Sequence, residues 1–519
     1  MAILQGISAG SMPAEVRSNG AQERSIFSSR FPVSHLKVFI IFVGSAIVLV
    51  PCFWHHRIES GDLGSHVYNA WLAQLAEQGK APGVYIATQW TNVIFDFMLF
   101  YLGKLFGLAA SEKIATSACV LVFFWGVFAL MRATGAKPPW FLAPCIAMLA
   151  YGYVFHLGFM NYYLSMGMAC FGLSLVWPMR KKGLIAAGLL APVILLAHPL
   201  GFLCFVGLSA YRVLWERVPG WWKLALPAGV VASCLSVHWF LKHAPGYEVS
   251  WPRVSWRITG ADEFHVFSYR GAYISAAILA VALLISALAV FPSWRRKEFW
   301  KERRLLLELY IVSVCATALL PENLHTNPSA GWLGELATRL VLVNAIFGLC
   351  WLASLPARAW HLFSYSIVAV IFFTFLYQDT FLLNRMEDNA ESVTQQLPFG
   401  TRTLASIFVP PRYREMFLHI PDRACVGHCF LVSNYEPSTR QFRVRTQPGS
   451  PVVTASVNNS LDMQAGKYEV KKEDLPLKQI YQCDVRDLAH ICVHELSEGE
   501  KNCAPASTAS PVPCSPKKP

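Results

Sequence analysis

The chain has 519 residues, of which 54% are hydrophobic and only 15% are charged. Soluble domains carry about 25% charged residues, so this composition excludes an ordinary soluble protein. The apolar residues form blocks of about 16–22, the length that crosses a bilayer core as a helix. The net charge of +12 is explained by Lys and Arg retained on the cytoplasmic side of a membrane, so we expect no nucleic-acid partner.

The first 35 residues are polar and rich in Ser and Gly, and we predict that they form a disordered cytoplasmic tail. The apolar blocks that follow predict an all-α polytopic membrane protein with about eleven transmembrane helices. The predicted spans are residues 36–54, 113–131, 139–155, 161–178, 183–197, 199–214, 223–242, 271–291, 305–320, 340–355 and 359–377.

The segment 91–109 is also apolar but carries Asp96 and Lys104, so it either crosses the membrane or lies in the interface. If it does not cross, most basic clusters of the short loops fall on the cytoplasmic side, as the positive-inside rule requires. We therefore predict a cytoplasmic N-terminus and an extracytoplasmic C-terminus. The transmembrane domain then covers 36–378, with a long first outward loop at 55–112.

The composition changes near residue 379, where Asn, Asp, Pro and Arg become more frequent. We predict a small extracytoplasmic domain at 379–502 with β-strands, including 441–445 and 451–457, and a disordered tail at 503–519. Outside the cytoplasm, the six cysteines of this region are expected to form disulfides. The alternative is that some of them hold a metal. The six are Cys425, Cys429, Cys483, Cys492, Cys503 and Cys514.

The predicted topology brings several ionisable residues to the outward face. Asp62 and His66 lie in the first outward loop, a helix being predicted at 63–79, while His156 ends one span and His198 separates two others. Ionisable groups at membrane depth are costly and are functional candidates. A cluster of imidazoles and a carboxylate can act as a general base, provide metal ligands or bind a phosphate.

Each candidate also has a purely structural explanation. Asp62 is alternatively the N-cap of the helix at 63–79, and His198 alternatively satisfies backbone groups freed by a helix break. Arg339 opens an outward-facing span end, where it either pairs with Glu335 or binds a lipid phosphate. The neighbouring Glu59 is predicted to be a solvated loop charge.

This architecture resembles the GT-C class of membrane glycosyltransferases over about residues 36–380. The resemblance rests on the first span and on Glu59-Ser-Gly-Asp62 in a long outward loop with amphipathic helices. It also rests on the short polar outward turn from His156 to Asn161 and on an Arg that opens a late span. In that class an acidic residue of the first outward loop is the catalytic or metal-linked carboxylate, and its position corresponds to Asp62.

The resemblance implies a multi-pass protein of the bacterial cytoplasmic membrane that transfers a sugar from a polyprenyl-phosphate donor to an extracytoplasmic lipid, glycan or protein acceptor. Asp62 is expected to deprotonate the acceptor or to bind a divalent cation, Mg²⁺ or Mn²⁺. The metal-ligand candidates are Asp62, His66 and His156. The residues expected to bind substrate are His66, His156, Asn161, His198 and Arg339. The alternatives are a transporter or flippase of envelope lipids or glycans, and a non-catalytic membrane scaffold.

Overall fold

The computed structural model describes residues 33–135, 138–325, 332–407, 419–439, 441–484, 487 and 489–502. The predicted tail at 503–519 and all but the end of the one at 1–35 lie outside these residues. The chain divides into two units, 1–47 and 48–519. Among the described residues, the first unit contains only the beginning of helix α1.

The protein is mostly helical, at 66%. The α-helices of the described residues are α1 (Val33–Phe53), α2 (Leu63–Glu77), α3 (Ile94–Phe106), α4 (Leu108–Thr134), α5 (Ala143–Ala150), α6 (Tyr153–Leu157), α7 (Met160–Val176), α8 (Lys181–Ala197), α9 (Pro199–Arg217), α10 (Ala225–His243), α11 (Gly271–Val290), α12 (Lys297–Leu319), α13 (Leu336–Ser354), α14 (Ala359–Thr394), α15 (Ile420–Ala424) and α16 (Val457–Gln464).

Helices long and apolar enough to cross a membrane support the predicted class of protein. Within the described chain there are six: Leu108–Thr134, Trp140–Leu157, Gly220–His243, Gly271–Ser293, Leu336–Ser354 and Ala359–Thr394. The other predicted spans also fall on helices, but these are shorter or less apolar. The helices are therefore compatible with a membrane protein, while the number of about eleven spans stays a prediction.

Helix α7 lies in the middle of the helical core. Most of its residues are buried, and it packs against α4, α8 and α9. By contrast, α10 is just as apolar in character but has no buried residue. An apolar helix that is not covered by protein is expected where lipid surrounds it, so this difference agrees with a membrane environment.

The strands are short and lie mostly in the C-terminal region. They are β1 (Val84–Ile86), β2 (Glu248–Ser250), β3 (Asn323–His325), β4 (Trp332–Leu333), β5 (Thr401–Ser406), β6 (Cys429–Leu431), β7 (Val444–Thr446), β8 (Leu477–Gln482) and β9 (Ile491–Leu496). One sheet has the order β6-β5-β8-β9, with β5 parallel to both neighbours and β9 antiparallel to β8. A second sheet, β2-β3-β4, is antiparallel.

The C-terminal region is attached directly to the first long loop. Strand β7 pairs antiparallel with β1, so that Arg445 lies opposite Tyr85, and α15 packs against α2. Helix α14 runs unbroken through residue 379, where the sequence predicts a domain boundary. The chain from residue 379 onward is therefore packed directly against the first long loop.

The C-terminal region contains two disulfides and a strand at one of the two predicted positions. Disulfides join Cys425 to Cys429 and Cys483 to Cys492, as expected for an oxidising compartment, while Cys503 and Cys514 lie outside the described residues. The strand predicted at 441–445 overlaps β7. The strand predicted at 451–457 is wrong, because this segment is irregular up to the start of α16.

Candidate functional site

A cavity of about 630 Å³ is enclosed by the first loop, by the N-terminal ends of α7, α9 and α13, and by the C-terminal region. Five of the six residues expected at the site line it: Asp62, His66, Asn161, His198 and Arg339. Its remaining polar lining comes largely from the C-terminal region, including His419, Tyr435, Gln441, Arg445 and Gln464. The cavity therefore combines residues that are far apart in the sequence.

The loop that carries Asp62 is held by the turn between α6 and α7. The amide of Gly61 donates to the carbonyl oxygen of His156 (2.8 Å), and the amide of Asp62 donates to that of Leu157 (3.0 Å). Gly158 follows in the left-handed region, with φ of 89°. A Cβ at this position would come within 3 Å of the backbone of Asp62, so the close approach requires glycine.

Gly158→Ala is therefore expected to displace the Asp62 loop in addition to straining the backbone. Gly79→Ala is a matched control, because Gly79 also has a positive φ of 69° but no atom within 4 Å of the added Cβ. The left-handed conformation alone costs an L-residue about 1–2 kcal/mol. We expect Gly158→Ala to lower the thermal unfolding midpoint in detergent by clearly more than the control. Equal shifts would show that the loop adjusts without cost.

Asp62 occupies the N-cap position of α2, but its side chain makes no capping hydrogen bond. The N-cap alternative is thus correct for its place in the chain and wrong for the role of its carboxylate. Oδ1 of Asp62 instead lies 3.4 Å from Nε2 of His419, and the side chain is 23% exposed. The carboxylate is therefore accessible to a molecule in the cavity.

His66 follows one helical turn later and is paired with a second carboxylate. Its Nδ1 lies 2.9 Å from Oδ1 of Asp96, and Asn161 donates to the other oxygen of Asp96 at 3.4 Å. Burial lowers the pKa of His66, but the carboxylate of Asp96 outweighs this effect and raises the pKa to about 9. His66 is therefore a cation at neutral pH.

His419 is a site residue that the sequence did not predict. Its Nδ1 lies 3.1 Å from Oδ2 of Asp422, on the opposite side of the ring from Asp62. Burial lowers the pKa of His419, but Asp422 and Asp62 outweigh this effect and raise the pKa to about 9. The backbone of His419 lies close to α2 at Gly64, where a Cβ would be 2.5 Å from the carbonyl oxygen of His419.

Glu436 is a buried carboxylate near His66 that does not line the cavity itself. Ser65 Oγ donates to its carboxylate at 2.7 Å. Burial raises the pKa of Glu436 to about 7, although the nearby cation of His66 acts in the opposite direction. The cation of His66 therefore compensates part of the negative charge of Asp96 and Glu436.

Arg339 is a further cation in the cavity lining. Its guanidinium lies over the ring of Phe159, 4.1 Å from the centroid, and its backbone oxygen accepts a bond from Tyr162 (2.8 Å). Helix α13 begins just before it, after Glu335 with a left-handed φ of 54°, so Arg339 lies in the first helical turn. Among the described residues, its buried Nε has no hydrogen-bond partner. An anionic ligand could accept a hydrogen bond from this nitrogen and pair with the positive charge of the guanidinium.

His198 has both of the roles considered for it. It lies at the break between α8 and α9, with Pro199 at the first helical position, where proline is favoured. Leu200 N donates to its Nδ1 at 3.1 Å, so the ring caps α9. The same ring also lines the cavity.

His156 is not brought together with the other candidates, because it does not belong to the cavity lining. Its Nδ1 donates to the carbonyl oxygen of Glu59 at 2.7 Å, and its ring meets Phe267 edge-on at 4.7 Å. The substrate-binding role predicted for His156 therefore has no support from its position. Its side chain instead holds the loop that carries Asp62.

The expected metal ligands Asp62, His66 and His156 do not form a ligand set. Within the described part of the chain, Cys483, His490 and Cys492 are the one group whose ligand atoms all lie within 4.8 Å of each other, and these two cysteines are disulfide-bonded. Asp62 faces a protonated imidazole, which disfavours a second cation beside it. The residues at Asp62 thus do not fit a divalent cation.

Comparison with known proteins finds no matching family model, no matching curated protein and no matching solved structure. The chemistry of the cavity is therefore the basis for any functional argument. Its lining includes the accessible carboxylate of Asp62, the guanidinium of Arg339, several amides and the two cationic imidazoles of His66 and His419.

Proposed function

We propose that this protein is a membrane glycosyltransferase that transfers a sugar from a polyprenyl-phosphate donor to an extracytoplasmic acceptor. We further propose about eleven spans, a cytoplasmic N-terminus and an extracytoplasmic C-terminus in a bacterial cytoplasmic membrane. The observation that carries this proposal is that Asp62 and Arg339 line one cavity, with Arg339 in the first turn of an apolar helix. A base and a phosphate-binding cation are the two groups that this transfer requires.

In the proposed reaction, Asp62 accepts the proton of an acceptor hydroxyl group. The acceptor oxygen forms a bond to the anomeric carbon of the sugar, and the bond between that carbon and the donor phosphate oxygen breaks. The phosphate leaves with the electron pair and carries the negative charge. General base assistance contributes about 10²–10⁴-fold to the rate, and fixed positive charge near the leaving phosphate adds to it.

Arg339 is suited to the leaving phosphate because a guanidinium binds two phosphate oxygens at once. Its stacking on Phe159 fixes the plane of the guanidinium before the ligand arrives. His198 and Asn161 line the same part of the cavity and are proposed to contact donor or acceptor. No step is assigned to a divalent cation, since the residues at Asp62 do not form a ligand set for one.

The proposal is tested by comparing a deletion strain with the same strain carrying the wild-type gene. Lipid extracts and envelope glycans of both would be profiled by mass spectrometry. We expect the deletion to lose one glycosylated product and to accumulate a polyprenyl-phosphate sugar, and the wild-type gene to reverse both changes. Unchanged profiles would overturn the proposal. A product that is still glycosylated but retained inside the cell would instead indicate a flippase or transporter.

A further inference from the structure

The imidazole of His419 has a carboxylate at each of its two nitrogens. Nδ1 lies 3.1 Å from Asp422 and Nε2 lies 3.4 Å from Asp62. Nδ1 is hydrogen-bonded to Asp422, and the contact between Nε2 and Asp62 is an ion pair, so a positively charged ring is attracted to both carboxylates. The ring is buried, with 6% of the side chain exposed, and water is therefore a poor substitute for either partner.

We propose that Asp422, His419 and Asp62 form a carboxylate–imidazolium–carboxylate chain through which the C-terminal region holds the Asp62 carboxylate directed into the cavity. This inference rests on the proposed function, in which Asp62 is the base. His419 and Asp422 are then positioning residues, because they act on the acceptor through Asp62. The region from residue 379 onward becomes part of the catalytic apparatus.

Charges of both signs surround Asp62. The imidazole of His419 is in direct contact with its carboxylate, and Asp422 and Glu436 interact with the same imidazole. His66 and Arg339 are further cations that interact with Asp62 over longer distances. His419 is therefore the cation best placed to hold the Asp62 carboxylate.

The same contact also orients Asp62. Its carboxylate makes no bond to the first turn of α2, so the helix itself does not set its direction. His419 is held firmly, because α15 packs on α2 at Gly64 and its ring lies beside Tyr435, with centroids 5.4 Å apart. A fixed imidazolium thus selects one orientation of the neighbouring carboxylate.

Four ionisable side chains from three neighbouring segments surround His419. Asp422 lies on its own helix, Asp62 precedes α2, and Tyr435 and Glu436 lie on the segment after β6. Three of these four are carboxylates, which stabilise the imidazolium together. Removing the charge of either direct partner should therefore shift the titration of His419 downward.

The chain is tested without any activity assay by measuring hydrogen–deuterium exchange at the C2 position of individual histidines by mass spectrometry, as a function of pH. We expect His419 to titrate at about 9 in the purified full-length protein. The midpoint should fall by about 1 unit or more in Asp422→Asn and in Asp62→Asn. The exposed His490 is the internal control and should not change. Titration of His419 near its ordinary value of about 6.5 in the wild type would overturn the chain.

A second measurement connects the chain to transfer. In His419→Gln, loss of the contact that orients Asp62 should lower kcat with little change in KM and at an unchanged thermal midpoint, and Asp422→Asn should lower kcat less. His490→Gln is the matched control. A loss of activity that comes from a raised KM, or that accompanies a lowered thermal midpoint, would show a merely structural role and overturn the inference. If no transfer is found in the wild type but His419 still titrates with Asp62 and Asp422, the chain stands and the proposed function fails.

Discussion

Asp62→Asn is expected to abolish sugar transfer while the protein is still expressed and folded. The amide has the same shape as the carboxylate but cannot accept the proton of the acceptor hydroxyl. Loss of a general base typically costs about 10²–10⁴-fold in rate. The fold should tolerate the change, because the Asp62 side chain makes no capping bond and is partly exposed. Transfer would be followed in membranes with a labelled polyprenyl-phosphate sugar, and folding by the thermal midpoint in detergent.

Glu495→Gln is the matched control for this substitution. It also replaces one carboxylate with an amide, on the exposed side of strand β9 and away from the cavity lining. The control should retain wild-type transfer. If Asp62→Asn keeps normal transfer at an unchanged thermal midpoint, Asp62 is not the base and the assignment of this cavity as an active site is wrong.

The sequence predicts much of the site because membrane topology constrains it strongly. Once the basic loops are placed on one side, Asp62, His198 and Arg339 must lie near the opposite face, and the cavity contains all three. His156 shares that face but not the cavity, because the turn at Gly158 directs its ring under the loop. The predicted topology thus groups residues by face but does not give the direction of a side chain.

His419 illustrates what sequence periodicity cannot reach. It contacts Asp62 from the opposite end of the chain, and no local pattern connects the two. The only local signal is an Asp three residues after a His, which is common at the start of a helix. The change in composition near residue 379 predicts a separate domain, although α14 continues through this position and the chain beyond it contacts the first loop.

Glu59 also differs from its predicted environment, and it lies near helix α15, which follows His419. The sequence predicts a solvated charge, but Glu59 is buried, with 4% exposed. It lies within a buried charge cluster formed by Arg57, Glu59, Glu112, Glu387 and Arg423. This cluster joins the first loop, α4 and α14 to α15. Helix α15 contains Arg423 and begins directly after His419.

Arg423 is the central cation of this cluster. Its guanidinium lies 2.8 Å from Glu112 and 3.5 Å from Glu387, and it donates to the carbonyl oxygen of Ile58 at 3.1 Å. Arg57 is the second cation and contacts Glu387 at 3.3 Å. Carboxylates thus outnumber arginines among these buried groups, so the loss of either arginine would leave uncompensated negative charge.

Arg423→Met is therefore expected to cause the largest loss of stability. Methionine fills much of the volume but leaves Glu59, Glu112 and Glu387 without their shared cation, and breaking a buried ion pair costs about 3–5 kcal/mol. The exposed Arg295 provides the matched control, Arg295→Met, which should change the thermal midpoint little. Transfer by Arg423→Met should also fall, because α15 and His419 lose their attachment to the first loop.

The pH dependence of this loss distinguishes charge from packing. Burial and the carboxylate of Glu387 raise the pKa of Glu59, while Arg423 lowers it, so removing Arg423 raises the pKa of Glu59 further. A carboxyl group whose pKa is higher in the folded than in the unfolded state destabilises the fold fully at pH values above the folded-state pKa. This penalty shrinks as the pH falls below the folded-state pKa and is gone below the unfolded-state pKa. The deficit of Arg423→Met relative to wild type should thus be largest at neutral and alkaline pH and shrink on acidification, as measured by thermal midpoints. A deficit that is the same at every pH would mean that Arg423 contributes through packing, and that α15 is not held in place by charge.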